Sequence, residues 1–351
     1  MYDNVMAMSG TVEQEFSSER FQSQYGFDLF HEIVQGFGTY VTMVVFASGL
    51  FGNVLSIIVF IRLRKKDAVT TAYLTPIAVY DLTNICIGTT TWLVQAAPVF
   101  SGGSVFIPEA ISDAHCKIRV YLSLASGLMS TWTLVAFCIE RCIAIWLPLK
   151  LAVLVTLTRR RVVIFVISLI SLVLAYAAVP PFKLHENTIC IPMPETLLET
   201  AFFGVINFGI YLSLPIMSLC ILNALLVCGL SKQDKSLQTI QNNTDKSKSN
   251  ERKIVRNLCL ISCVYVVTMT PFCVLGTIQI TRMISGWGEA SRAYIDTFNT
   301  MVELAYLWHF TNFSANYIIY AASLDFYRAE CRRLFSCHFK CRRSPELANE
   351  V

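Results

Sequence analysis

Seven stretches of the chain are apolar and long enough to cross a lipid bilayer as helices: 39–62, 72–97, 115–146, 161–181, 201–230, 254–280 and 298–323. A bilayer core takes about 20 helical residues, and a helix satisfies its own backbone hydrogen bonds where no water can. Composition agrees. Of 351 residues, 54% are hydrophobic and 15% charged, against about 25% charged in soluble proteins, and the mean hydropathy is +0.54. Disorder, collagen and coiled coil are excluded. The net charge of +4 is too small and too patterned for a nucleic-acid partner. The expected fold class is an all-α membrane protein, a seven-transmembrane helix bundle.

Orientation follows from basic residues in short loops. Arg62, Arg64, Lys65 and Lys66 follow span 1, and Lys150, Arg159, Arg160 and Arg161 follow span 3. The break after span 5 and the tail after span 7 are also rich in Lys and Arg, whereas the remaining loops are acidic. With seven spans this places the N-terminus outside the plasma membrane and the C-terminus in the cytoplasm. Residues 1–38 then form an extracellular segment, 39–323 the bundle, 324–337 a short amphipathic eighth helix and 338–351 a cytoplasmic tail. No removable signal peptide is expected in the first 38 residues.

The 13 cysteines are scattered through apolar stretches. Cys116 and Cys190 alone fall at the expected outer surface, where an oxidising exterior would join them; two unrelated thiols is the plainer alternative. Span 3 ends Glu140-Arg141-Cys142. Arg141, about 37 Å from Cys116 along a helix, must pair or reach cytoplasmic water. Glu140 adjoins it, and Glu251 at the start of span 6 has the right sign and depth to hold helices 3 and 6 together; plain positive-inside bias is the competing reading. Asp81 lies deep in span 2, with Asn53, Ser130, Asn312 and Asn316 at comparable depth. That oxygen set suits Na⁺ or a proton, or else a water-filled structural cluster. Pro76, Pro215 and Pro271 interrupt spans 2, 5 and 6. In 325–337, Phe326, Tyr327, Cys331, Leu334 and Phe335 share a face that would lie in the inner lipid interface. Cys331, Cys337 and Cys341 are candidates for S-acylation.

The ordered set resembles the class A, rhodopsin-like, G-protein-coupled receptors over about residues 39–337. The matching residues are Gly52-Asn53-Val54-Leu55, Ala78-Val79-Tyr80-Asp81, Cys116, Ser130, Glu140-Arg141-Cys142, Pro148, Pro215, Pro271 and Asn312 through Tyr320, then Phe326. The span 3 run 130–135 and Leu147-Pro148-Leu149-Lys150 resemble invertebrate neuropeptide receptors of the FMRFamide and thyrotropin-releasing-hormone type. The resemblance implies an extracellular ligand, a heterotrimeric G protein engaged when helix 6 swings out, arrestin as a further partner, and no enzymatic activity. It makes Glu140, Arg141, Glu251, Asn316 and Tyr320 the switch. It requires no cofactor, and it places Na⁺ as an allosteric ion at Asp81, Ser130, Asn312 and Asn316. Several residues depart from the family pattern: Tyr317 for Pro, Met269 for Trp, Asn223 for Tyr, Cys142 for Tyr, and no Trp in span 4. Ser123 stands where amine receptors carry Asp, and Phe310 where opsins carry the Schiff-base Lys. Amines of that type and retinal are therefore not expected.

By position in the outer halves of the spans, the ligand candidates are Trp92, Gln95, Arg119, Ser123, Asn207, Tyr211, Phe272, Gln279, Glu303, Tyr306 and His309; for each, helix packing is the alternative. The acidic N-terminal segment and outer loops favour a cationic or amidated peptide, unless the exterior is acidic merely through positive-inside bias. No catalytic motif is present. Two further readings remain: a chemosensory receptor for small molecules on the same fold, and a transporter or proton pathway through Asp81.

Overall fold

The structure, a computed structural model, describes residues 36–38, 40–65, 67–101, 112–147, 156–185, 189–237, 245–285 and 292–342. Eight helices run in chain order. They are α1 (Gly36–Leu63), α2 (Ala68–Ser101), α3 (Asp113–Trp146), α4 (Leu157–Ala178), α5 (Leu197–Leu237), α6 (Asp245–Ser285), α7 (Arg292–Ser323) and α8 (Asp325–Arg342). Between α4 and α5 lies an antiparallel pair, β1 (Phe182–His185) and β2 (Ile189–Pro192). Hydroxyl caps start several helices: Ser112 for α3, Thr156 for α4 and Thr196 for α5 each accept from a first-turn N–H.

The bundle keeps a largely apolar core and differs from a water-soluble protein in its apolar exterior. Asp81, Asn84, Ser130, Asn257 and Asn316 are buried, while α4 turns Val162, Phe165, Leu169 and Val173 outward, Phe165 being 67% exposed. Lipid removes the penalty that water would impose on that face. Among the described residues, five helical segments are individually apolar and long enough to span a bilayer, in α1, α3, α4, α5 and α6. The other two, α2 and α7, carry interior polar residues, Asp81 and Asn84 in one and His309, Asn312 and Asn316 in the other. Helix α3 packs on α2, α4 and α5, and α6 packs on α7.

The expected kinks take specific forms. Pro215 follows a π-helical stretch, Val205–Ser213, inside α5. Lacking an N–H, Pro215 cannot bond the carbonyl of Tyr211, four residues earlier; that carbonyl instead accepts from the Tyr265 hydroxyl of α6 at 3.1 Å. Pro271 likewise frees the carbonyl of Val267, which accepts from the Trp308 indole of α7 at 3.3 Å. The gaps left by Pro215 and Pro271 are each filled from the next helix.

Candidate functional site

At one end of the bundle a disulfide joins Cys116, in the first turn of α3, to Cys190 on β2. The hairpin pairs Leu184 with Cys190, and the Leu184 N–H donates to the Asp113 carboxylate at 2.9 Å. Phe182 meets Phe203 of α5 at 5.6 Å between ring centres. Lys183 pairs with Glu195, holding that carboxyl below its usual range. The Glu195 N–H donates to Glu199. Asp113, Glu195 and Glu199 are thus already committed to shaping this end, which weakens the reading of a uniformly acidic mouth. The acids at 3–32, Glu109, Glu186 and Glu289 lie outside the described residues, as does the Asp296 side chain.

Beneath the hairpin an aromatic cluster joins α5, α6 and α7. The Tyr211 hydroxyl lies 3.0 Å from His309 Nε2. His309 stacks on Tyr306 at 5.9 Å, and Phe272 lies 5.3 Å from His309 and 5.5 Å from Tyr306. The structure therefore brings four of the ligand candidates, Tyr211, Phe272, Tyr306 and His309, into one cluster. Phe310 and Phe313 complete the cluster at 5.2 Å each from His309; their spacing with 306 and 309, on one helical face, was the available signal. Two close approaches make room for the rings. A Cβ on Gly127 would lie 2.5 Å from the Tyr211 hydroxyl, and one on Gly88 2.1 Å from the Phe310 ring.

Other candidates sit differently. Ser123 faces α2, its carbonyl accepting from Asn84 at 2.8 Å. The Asn207 amide bonds the Phe203 carbonyl of its own helix. Arg119 and Gln279 are half-buried, and Glu303 is exposed. The side chains of Trp92 and Gln95 lie outside the described residues.

Midway through the bundle, the fully buried Asp81 carboxylate accepts from the Ser130 hydroxyl at 2.5 Å and from the Asn316 amide at 2.7 Å. Asn53 donates to the carbonyls of Gly49 and Phe313, each at 2.9 Å, tying α1 to α7. Asn312 is buried nearby in α7. The Asn316 amide oxygen and the Tyr320 hydroxyl have no hydrogen-bond partner among the described residues. The oxygens of Asp81, Ser130 and Asn316 suit a hard monovalent cation. Among the described residues no group of three or more His, Cys, Asp or Glu side chains could hold a more highly charged metal.

At the other end Glu140 and Arg141 of the expected latch meet, and Glu140 has a closer second partner. Glu140 is bound chiefly by Arg160 of α4, at 2.8 Å, with Arg141 at 3.5 Å and the Tyr73 hydroxyl against it. Arg160 looked like one more loop cation; the first turn of α4 instead carries it inward, where it is buried. The Arg141 guanidinium stacks over Phe137 at 5.1 Å. The Glu251 side chain lies outside the described residues. Helix α6 meets α3 through Ser262 and Cys138, 3.7 Å apart, and is tied to α7 and α8 as well: the Ser323 hydroxyl donates to Asn257 at 2.5 Å, and Lys253 pairs with Asp325. That pairing holds the Asp325 carboxyl below its usual range. Along α8, Tyr327 bonds Ser56 at 3.0 Å and Arg328 donates to the carbonyls of Ala321 and Ala322. Cys331 is half-buried, and burial pushes its thiol up. The side chains of Cys337 and Cys341 lie outside the described residues.

Known proteins resemble the chain in sequence. The thyrotropin-releasing hormone receptor of Gallus gallus is 23% identical over 87% of this chain and 80% of its own. The galanin receptor type 1 of Mus musculus is 24% identical over 88% and 85%. A Gq-coupled rhodopsin of Mizuhopecten yessoensis is 23% identical over 69% of this chain and 49% of its own. Family membership is carried by residues 52–320, from Gly52 of α1 to Tyr320 of α7, which match the 7 transmembrane receptor (rhodopsin family). The chain belongs to that family: it is a multi-pass membrane receptor and not an enzyme.

Proposed function

We propose that this receptor binds an extracellular peptide and activates a heterotrimeric G protein, with its N-terminus outside the cell and its Arg-rich helix ends in the cytoplasm. The observation that carries the reading is the Tyr211–His309 hydrogen bond within a ring cluster that includes Phe272 of α6. A ligand seated against those rings touches the helix that has to move. The peptide is supported by the relatives, two of which are named as receptors for thyrotropin-releasing hormone and galanin. Phe310, where a retinal-binding Lys would stand, argues against a light receptor.

The ligand must bind the open form better than the closed one, or it shifts nothing. Taking a population from 1:99 to 99:1 requires about 5.5 kcal/mol of preference. Opening separates Asn257 from Ser323 and Lys253 from Asp325 and bares Arg141 to the partner's C-terminal helix. Arrestin would follow at the Ser- and Thr-bearing segment 231–249. Among the acylation candidates, the packed position of Cys331 favours Cys337 and Cys341. The test is a panel of amidated neuropeptides applied to cells expressing the receptor with a G-protein reporter. A peptide in the panel should evoke a signal, and Arg141→Ala at equal surface density should abolish it. An unaltered response in Arg141→Ala, or solute flux without any G protein, would replace this reading with the transport one.

The Asp81 cluster fits an allosteric Na⁺, which would be held by Asp81, Ser130 and Asn316, with Asn312 buried nearby. Such an ion supplies fixed positive charge beside the carboxylate. Replacing choline chloride by NaCl should raise the melting temperature of the purified receptor by a few degrees. Asp81→Asn should remove that dependence. A dependence that survives in Asp81→Asn would place the ion elsewhere.

A further inference from the structure

A cavity of about 440 Å³ opens on the lipid-facing side of the bundle, between the end of α1 and the first halves of α2 and α4. Its apolar wall is Ile61, Ala72, Pro76, Leu157, Ile164 and Phe165, and Arg64 and Arg161 line it as well. Tyr80 and Ser168, hydrogen-bonded to each other at 2.8 Å, close the far end. From Ala68 to Tyr80 along α2 is about 18 Å, and from Leu157 to Ser168 along α4 about 16 Å. That matches one leaflet of a hydrocarbon core, about 15 Å.

Charge sits at one end of this groove. Arg64 follows the last turn of α1, and Arg161 lies in the first turns of α4; both are exposed. Arg62 and Arg159 are exposed beside them. The α4 N-terminus opens here under a neutral cap, Thr156, so its positive dipole end is not offset. The nearby acid, Asp67, is committed to the start of α2, accepting from the Thr70 N–H at 3.0 Å. Arg160, the neighbouring cation, is turned away to Glu140. Pro76 also has no N–H to give the Ala72 carbonyl, and both residues line the groove.

We infer that this groove is a binding site for an anionic phospholipid of the cytoplasmic leaflet. Its phosphate-bearing headgroup would lie on Arg64 and Arg161 and an acyl chain against the Ala72–Pro76–Phe165 wall. Guanidinium groups bind phosphate oxygens through paired N–H donors, and the remaining length is apolar and scaled to a chain. The leaflet assignment rests on the orientation proposed above; the binding itself does not.

Purified full-length receptor in detergent would be titrated with phosphatidylinositol 4-phosphate or with phosphatidylcholine of the same chains, bound lipid being counted by native mass spectrometry. At least fivefold more of the anionic lipid should be retained. The double variant Arg64→Gln, Arg161→Gln should lose that preference, whereas Arg159→Gln should keep it. Ala72→Phe should cut retention by filling the groove with both charges in place, in a protein whose melting temperature is unchanged. Equal retention of the two lipids, or a preference unaffected by the double variant, would overturn the site. Equal competition by the chain-free headgroup, glycerophosphoinositol 4-phosphate, would overturn the lipid as its occupant. A tag-accessibility measurement of the termini separates an error of orientation from an error of site.

Discussion

Asn257→Ala is expected to raise ligand-free signalling about 5- to 150-fold, and Ser323→Ala to do the same. The two side chains share one hydrogen bond of 2.5 Å, and both are almost completely buried. Truncating either partner of a buried bond costs about 1–3 kcal/mol, here charged to the closed form alone if opening separates the residues. The double variant should therefore match the single ones instead of multiplying them, the signature of a shared interaction. The neighbouring pair Lys253–Asp325 is exposed, and exposed pairs contribute about 0–1 kcal/mol; Asp325→Asn should move the basal signal far less. Basal signalling measured per receptor at the surface decides the matter. Multiplying effects, or no rise in either single variant, would mean that α6 is held elsewhere.

The second large effect concerns the hairpin. Cys116→Ser and Cys190→Ser are each expected to abolish most surface delivery and ligand response, and to do so alike, because each removes the same covalent tie. Loss of a native disulfide typically costs about 2–5 kcal/mol. The bond anchors β2 to α3, and Asp113 and Phe182 then fix β1 to α3 and α5. Without it, those two contacts have to hold the hairpin over the ring cluster. Surface immunolabelling and agonist response would be compared for both variants and their double. Damage in only one single variant would mean that the bridge is not the element being lost.

The helical bundle was legible because apolarity accumulates over 20 or more residues, and no rotation or neighbour has to be known to see it. Asp81, Ser130 and Asn316 were legible for the converse reason: a polar side chain inside a span has few ways to be satisfied except by others at its depth. Arg160 was not. In sequence it is one of three consecutive arginines, 159–161, and only the first turn of α4 decides which of them points at Glu140. Asn257 and Ser323 were hidden likewise, since their meeting depends on the rotation of α6 and α7 about their axes. Nothing in the sequence singles out Tyr265 or Trp308. What marks them is the backbone they serve, two carbonyls stranded by Pro215 and Pro271, and a proline announces a missing donor without saying who replaces it. The ligand candidates divided along the same line. The four aromatic residues converge because α5, α6 and α7 share one interior, whereas Ser123 and Asn207 spend their polar atoms on neighbouring backbone.

Those two borrowed rungs also set the geometry of any swing of α6. Tyr265 grips α5 and Val267 is gripped by α7 within one turn of each other, so sliding the whole rod would strand both acceptors in hydrocarbon. Tilting about that level need not. The level of 265–267 then acts as a fulcrum, with a lower arm of about 18 Å down to Lys253 and a shorter upper arm bearing Phe272. A small push at the rings is geared into a larger sweep at the far tip.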